Sequence, residues 1–147
     1  MKKSWGLIPK ILNGRKKIES RWGINRCCPW GKVQSGDTVY FKNAGEPVTA
    51  VATVSRIEQF ENLNPVSVRK LLQKYGGDDG ISVTNLESTI AWARKKRYCT
   101  LIYLQNPRLV DPFNIDKRGF GSAAAWLTIP SIDQIRLPVL NRYPNNR

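Results

Sequence analysis

Apolar residues recur at helical spacing near the start of the chain. Between residues 7 and 12 they fall three or four positions apart, and Gly14 stands where a chain can leave a helix. This pattern predicts a short helix over about 6–13. Residues 15–22 then alternate in character, with Ile18, Ser20 and Trp22 on one face and charged residues on the other. A strand with one charged face is therefore predicted there.

A hairpin of two strands is predicted in the middle of the chain. Residues 23–34 contain turn-forming residues and no hydrophobic period, which indicates a loop. The segment 38–42 alternates as a strand does, and 43–47 has the composition of a turn. Residues 48–57 are nearly all valine, alanine, threonine, serine and isoleucine, which favours a long strand with both faces largely covered.

Two helices follow, each with its own start signal. Asn64 can cap a helix that Pro65 opens and Gly76 ends. Thr84 and Glu87 have the spacing of a capping box, which predicts a second helix from that point.

The last third of the chain is predicted to complete the sheet. Its strand candidates are 97–104, 125–129 and 135–137, its long loop is 106–122, and its polar tail 141–147 is expected to fray.

One α+β domain accounts for this order of elements. The strands pair mostly antiparallel and the helices are inserted at one point, which favours a compact barrel with short helices packed around it. At 147 residues the chain is long enough to bury a hydrophobic core, and we expect residues 1–147 to form a single domain.

The net charge of the chain indicates what kind of partner it binds. The chain has 24 lysine and arginine residues against 11 aspartate and glutamate residues, no histidine, and a net charge of +13. The basic residues concentrate in 1–32 and 94–147, and the middle of the chain is not basic. Such a balance predicts a polyanionic partner, and nucleic acid comes first because its phosphates match dispersed lysine and arginine side chains.

Cysteine content and hydropathy exclude other classes. Cys27, Cys28 and Cys99 cannot form a closed disulfide set, which indicates reduced thiols in a cytoplasmic protein. Without histidine they fall short of a four-ligand zinc site, so we expect no metal and no cofactor. Pro9 and Lys10 interrupt the apolar run at the start, and no segment approaches the roughly 18 apolar residues of a membrane span, so no membrane partner is expected. The oligomeric state is left open.

Three motifs follow one another near the start of the chain. A short helix that ends in glycine precedes a strand with the pattern Lys16-x-x-Glu19-x-Arg21, and a Gly36-Asp37 turn leads into the next strand. This order resembles the ASCH domain of the PUA-like superfamily.

The resemblance extends well over residues 5–60, whereas over 61–104 only the order of elements agrees. It implies a PUA-like β-barrel with a cleft beside the first helix and strand. It also implies binding of RNA, with DNA as the less favoured ligand, or of a modified nucleoside.

The charged strand has a chemical interpretation of its own. Lys17, Glu19 and Arg21 share one face, so a cation lies about 7 Å on either side of the carboxylate. This arrangement would keep Glu19 ionised and leave the donors of the cations for phosphate. The alternative is a solvated salt-bridge ladder on an edge strand, which would contribute little.

Tryptophan beside lysine or arginine supplies the second group of candidates, because base stacking needs an apolar platform with cations close by. Trp30 lies in a loop and is expected to stack on a base, whereas Trp126 in an apolar strand and Trp92 on a helix are expected to pack in the core. Glycines around Lys117 and Arg118 could bring backbone N–H groups to a phosphate, although an ordinary surface loop has the same composition. The predicted nucleic-acid contacts are Arg15, Lys16, Lys17, Glu19, Arg21, Trp22, Trp30, Lys32, Lys117 and Arg118.

Catalysis is the main alternative to binding alone. Some ASCH-like proteins hydrolyse an acylated cytidine with a lysine, a threonine and a glutamate, and others are described as ribonucleases. The resemblance places the lysine on Lys16, but the threonine position holds Glu19, and neither Glu58 nor Glu61 matches the glutamate convincingly. The common general base, histidine, is missing. A binding module is therefore favoured over a hydrolase, in which Lys16 and Glu19 would be catalytic.

A second alternative is a reader of modified bases, similar to EVE domains, in which a flipped base enters an aromatic pocket. Such a pocket would be lined by one or two of Trp5, Trp22, Trp30 and Trp126.

Overall fold

A four-stranded antiparallel sheet forms the centre of the protein in the computed structural model, which describes residues 1–121 and 123–139. Its strands, β1 (Ile18–Gly23), β2 (Thr38–Lys42), β3 (Val48–Phe60) and β4 (Tyr98–Phe113), lie in the order β1-β4-β3-β2. The sheet curls into a half-barrel. The predicted α+β class is confirmed, and the predicted fraying of 141–147 lies outside the described residues.

Helices cover both faces of the sheet. They are α1 (Leu7–Leu12), α2 (Pro65–Tyr75) and α3 (Leu86–Ala93), and short 3₁₀ turns occupy Lys3–Trp5, Val83–Asn85 and Ile132–Gln134.

Two hydrophobic clusters result, one on each face. Because successive side chains of a strand point to opposite faces, Ile102 of β4 packs with Ile11 of α1 on one face, while Leu101 packs with Val68 of α2 on the other. The cluster with α1 also lies on the side of the sheet that carries Glu19, whose strand position faces Ile102.

The start of α2 is as predicted. Asn64 Oδ1 accepts hydrogen bonds from the backbone N–H groups of Val66 and Ser67, both at 3.0 Å, and Ser67 Oγ accepts one from the Asn64 N–H at 2.8 Å. This reciprocal pair is a complete capping box followed by Pro65, so three donors at the helix start are satisfied.

The predicted capping box of the next helix is wrong. Thr84 lies inside the 3₁₀ turn Val83–Asn85, and its hydroxyl pairs with that of Ser82 at 3.0 Å. Because the turn runs directly into α3, the residue that precedes the helix is Asn85, which makes no side-chain cap. Glu87 instead pairs with Arg69 of α2 at 2.9 Å.

Strand β4 is longer than predicted, and residues 106–113 are strand rather than loop. Asn106 has a positive φ of 51°, and the pairing between β3 and β4 shifts register there, from Gln105 opposite Thr53 to Arg108 opposite Val51. Asn106 and Pro107 thus form a bulge, where the missing N–H of proline breaks no ladder hydrogen bond.

The strands predicted at 125–129 and 135–137 are not formed. The first segment makes no strand pairing, and the second contributes one isolated bridge, between Arg136 and Ile115. Within residues 1–121 and 123–139, no helix is long and apolar enough to cross a lipid bilayer.

The two cap positions give a matched test of the helix starts. Asn64→Ala is expected to lower the free energy of unfolding by about 1 kcal/mol, because two backbone N–H groups lose their acceptor. This corresponds to a melting temperature lower by roughly 2–4 °C for a domain of this size. Thr84→Ala should leave the melting temperature nearly unchanged, and an equal loss in both variants would contradict this assignment of the caps.

Candidate functional site

Strand β1 is an edge strand, and the turn that follows α2 covers its free edge. The carbonyl oxygen of Asp78 accepts hydrogen bonds from the backbone N–H groups of Lys17 at 2.7 Å and Ile18 at 3.0 Å. Farther along, Asp79 Oδ1 accepts one from the N–H of Ser20 at 3.2 Å. The turn replaces a fifth strand, so the edge has no open row of donors.

The same turn holds a buried lysine. Lys16 Nζ lies 2.7 Å from the carbonyl oxygens of both Ile18 and Asp79 and 2.6 Å from Asp79 Oδ1, and only 3 % of its side chain is exposed. An ammonium has three donors, and these three acceptors use all of them. Glu19 Oε2 is close enough for an ion pair, 3.1 Å away, but accepts no hydrogen bond.

Glu19 links this lysine to Arg21. Its other oxygen, Oε1, accepts a hydrogen bond from Arg21 Nη2 at 2.5 Å, and its side chain is 7 % exposed. The Arg21 guanidinium lies 5.0 Å from the ring centroid of Trp126, and its Nε is buried with no hydrogen-bond partner in the described part of the chain. Two cations, Lys16 and Arg21, therefore balance two carboxylates, those of Glu19 and Asp79.

Asp79 is the member of this cluster that sequence reasoning missed. Its second oxygen, Oδ2, accepts a hydrogen bond from the Ser20 hydroxyl. Ser20 Oγ in turn accepts a hydrogen bond from Trp22 Nε1, 3.0 Å away. Burial raises the pKa of Asp79, and the Lys16 ammonium and the Ser20 hydroxyl partly oppose this shift. Asp79 lies 63 residues from Lys16 along the chain. The only signal in the sequence was an acidic pair between glycines.

The prediction that Lys17 and Arg21 flank Glu19 on one charged face of the strand is wrong for Lys17. Lys17 is exposed and donates its backbone N–H to the covering turn, whereas the buried Lys16 is the lysine paired with Glu19. The strand begins at Ile18, so Lys16 lies before it and bends back toward the carboxylate. Neither a pair of solvated cations nor an exposed salt-bridge ladder describes this arrangement.

A cleft of about 1850 Å³ opens beside this cluster. Its walls come from the first helical segment, β1, β2, α3 and the irregular segment 123–133. Beyond the four clustered charges, the lysines on its lining are Lys2, Lys10, Lys32, Lys42 and Lys117, and the acidic residues are Asp37 and Asp133.

The cleft contains part of the predicted set of contacts. The predicted residues on its lining are Lys16, Glu19, Arg21, Trp22, Lys32 and Lys117, and those away from it are Arg15, Lys17, Trp30 and Arg118. Arg118 is turned toward Asp116, with Nε 2.9 Å from its carboxylate, while Lys117 donates to the carbonyl oxygen of Ala124 at 2.8 Å. Lys2, Lys10 and Lys42 were not predicted, because nothing in their local sequence distinguishes them from other surface lysines.

The tryptophans are placed differently from expectation. Trp126 is half-buried on the cleft wall and not in a core strand, because its segment makes no strand pairing. Trp92 is 57 % exposed, since Ile90 and Ala93 define the buried face of α3 and Trp92 lies off that face. Trp30 is half-buried, and its ring and that of Tyr98 form an edge-to-face pair with their centroids 5.3 Å apart.

Trp30 lines a smaller cavity of about 300 Å³, which shares Arg21, Trp22 and Trp126 with the cleft. Arg26 lies 5.8 Å from the Trp30 ring centroid. Stacking of a base on Trp30 stays a prediction.

Comparison with known proteins identifies the fold. No protein-family model matches the chain, and curated protein sequences give no significant match. Among solved structures, the ASCH protein from Zymomonas mobilis is similar, with a TM-score of 0.55 and 16 % identity, covering 89 % of this chain and 80 % of that one. Two single-residue variants of the same protein match at the same TM-score and identity over 78 % of this chain. The chain therefore shares the fold of this ASCH protein, in agreement with the expectation from its motifs.

The substitution Lys16→Met tests how much the buried cluster contributes to the stability of the fold. The substitution keeps the length of the side chain but leaves the Asp79 and Glu19 carboxylates buried without their cation, so we expect the free energy of unfolding to fall by about 3–5 kcal/mol. Lys17→Met is the matched control and should change stability by less than about 0.5 kcal/mol. Chemical denaturation at neutral pH measures both, and similar stabilities of the two variants would show that Lys16 is not required for the fold.

Proposed function

We propose that this protein is a nucleic-acid-binding module that takes RNA in preference to DNA in the 1850 Å³ cleft. The observation that supports the proposal most is the excess of lysine on the cleft lining. Outside the buried cluster, five lysines and two aspartates line the cleft, a difference of three positive charges. Phosphate is the ligand that such a surface attracts, and the chain as a whole adds to the field with a net charge of +13.

The buried cluster has a different role in this proposal. Its four charges neutralise one another, and the donors of Lys16 are all used within the fold. We therefore assign phosphate contact to the lysines around the cluster, such as Lys32 and Lys117, and assign shaping of the cleft wall to Lys16 and Glu19.

A hydrolase is the second candidate. The observation that favours it is a lysine enclosed by two carboxylates in a cleft, with the pKa of Asp79 raised by burial. Against it, the Lys16 ammonium has no unused donor for a reacting group, and Glu19 stands where the acylcytidine amidohydrolases that the motif resembles have a threonine.

A reader of modified nucleosides is a third candidate. The 300 Å³ cavity has Trp22, Trp30 and Trp126 on its lining, and its volume is at the lower limit of ordinary small-molecule sites. A nucleoside bound in this cavity would compete with an RNA strand in the cleft, because the two sites share one wall.

Binding to RNA is expected to depend strongly on salt. For about five phosphates contacted on a single strand, log K against log salt should have a slope near −3.5. Fluorescence anisotropy with a labelled RNA oligonucleotide measures it. Lys32→Glu with Lys117→Glu should weaken binding and flatten the slope, since two of the proposed phosphate contacts are lost. The double variant Lys70→Glu with Lys74→Glu, on the exposed side of α2 and outside the cleft lining, changes the net charge by the same amount and is the control.

Binding that is absent at low salt would refute the proposal. Equal losses in the cleft variant and in the Lys70→Glu, Lys74→Glu control would show that net charge acts without the cleft.

Deacylation of N4-acetylcytidine is expected to be absent. The buried lysine is saturated by acceptors and Glu19 stands at the threonine position, so the lysine–threonine pair of that reaction is not formed. Chromatography of N4-acetylcytidine incubated with the protein measures the turnover. Turnover that Glu19→Gln abolishes without unfolding the protein would favour the hydrolase over the binding module.

A further inference from the structure

The two most exposed tryptophans of the described chain lie on the lining of one cleft. Trp5, in the 3₁₀ turn before α1, is 56 % exposed, and Trp92, on α3, is 57 % exposed. The other three tryptophans are half-buried against neighbouring groups. Large aromatic rings left in water mark interaction surfaces more often than chance would place them there.

Each of these rings has a lysine over it. Lys2 Nζ lies 5.4 Å from the ring centroid of Trp5, and Lys96 Nζ lies 4.6 Å from that of Trp92. The ammonium occupies one face of the ring and leaves the rest of the exposed surface for a planar partner. An apolar platform with a cation beside it fits a base and its adjacent phosphate.

A side-chain hydrogen bond links the segment that carries Trp5 to the segment that carries Trp92. Lys10 Nζ, on α1 beyond Trp5, donates to the carbonyl oxygen of Gly80 at 3.1 Å, and the chain continues from there into α3. Lys10 and Gly80 both lie on the cleft lining, as the two tryptophans do. One donor of Lys10 is used in this contact, and the other two can meet a phosphate that passes along the wall.

We propose that Trp5 and Trp92 are base-stacking platforms, and that the ligand of the cleft is therefore single-stranded RNA with its bases unpaired. This inference rests on the proposed nucleic-acid binding and specifies it. A duplex keeps its bases stacked on one another and offers the cleft only its phosphates, so it cannot use the two rings. The platforms add affinity that is independent of charge, while the lysines of the lining supply the charge-dependent part.

Substitution at Trp92 separates stacking from apolar contact. Trp92→Ala and Trp92→Leu should each weaken binding of a short mixed-sequence RNA strand about 5- to 100-fold, whereas Trp92→Phe should retain most of the affinity, because only phenylalanine offers an aromatic face. Trp5→Ala should act in the same direction. Val83→Ala, at a 92 % exposed position outside the cleft lining, is the control and should bind like the wild type.

The same variants titrated with salt and with duplex RNA complete the test. The tryptophan variants should keep the slope of log K against log salt, because they remove no cation, and should bind the annealed duplex of the same strand as the wild type does. Thermal melts of each variant show whether the fold is retained.

Four results would overturn the inference. Wild-type binding to single strand and duplex with equal affinity, or Trp92→Leu binding like the wild type, would leave nucleic-acid binding in place without stacking. Normal RNA binding by both alanine variants would assign the rings to another partner, such as a protein. Absence of RNA binding by the wild type would refute both proposals.

Discussion

The enclosure of the Lys16 ammonium is the interaction on which the remaining architecture depends. A lysine at the open edge of a sheet can be buried only if acceptors surround it, and here they come from the strand itself and from a turn far along the chain. That turn also pairs the edge of β1 and receives the Lys10 side chain of α1. Gly80 is required at this point, because it has a φ of +80° and a Cβ there would approach Lys16 Cδ to 3.3 Å.

This arrangement changes the meaning of the charged motif on β1. Three charged residues in a basic protein suggest a surface that meets a polyanion directly, yet Glu19 and Lys16 are buried and their charges are cancelled locally. Desolvating two carboxylates and a lysine is costly unless each is paired, and removing one member costs more than the pair contributes. The motif therefore forms part of the cleft wall, and in the proposed function the attraction for phosphate comes from lysines that no motif contains.

Local signals in the sequence were sufficient for part of the local structure, although they misplaced the helix cap at Thr84, and they failed where distant contacts decide. The bounds of β2 and the start of α2 follow from alternation and from the Asn64-Pro65 pair, which act within a few residues. The extension of β4 could not be predicted from local signals. Asn106 and Pro107 would end a strand in isolation, and only the bulge opposite β3 accommodates them. Asp79 could not be predicted, since its role exists only once the turn reaches β1. The exposure of Trp92 depends on which side of α3 the sheet covers, and a helix with several apolar residues leaves that undecided.

The cleft combines a buried cluster whose charges cancel with lysines on its rim, and salt affects these two parts differently. Salt screens exposed charges but affects a buried, compensated cluster much less, so the shape of the wall persists under conditions that remove the attraction. The proposed recognition divides accordingly, with long-range attraction assigned to the rim lysines and shorter-range contacts assigned to the aromatic rings. Because a short connection from Gly80 to Leu86 joins α3 to the turn that contacts β1 and α1, the position of Trp92 is tied to the buried cluster through the backbone. A change in the cluster would reach the rim through that turn, even though no charge of the cluster need touch the ligand.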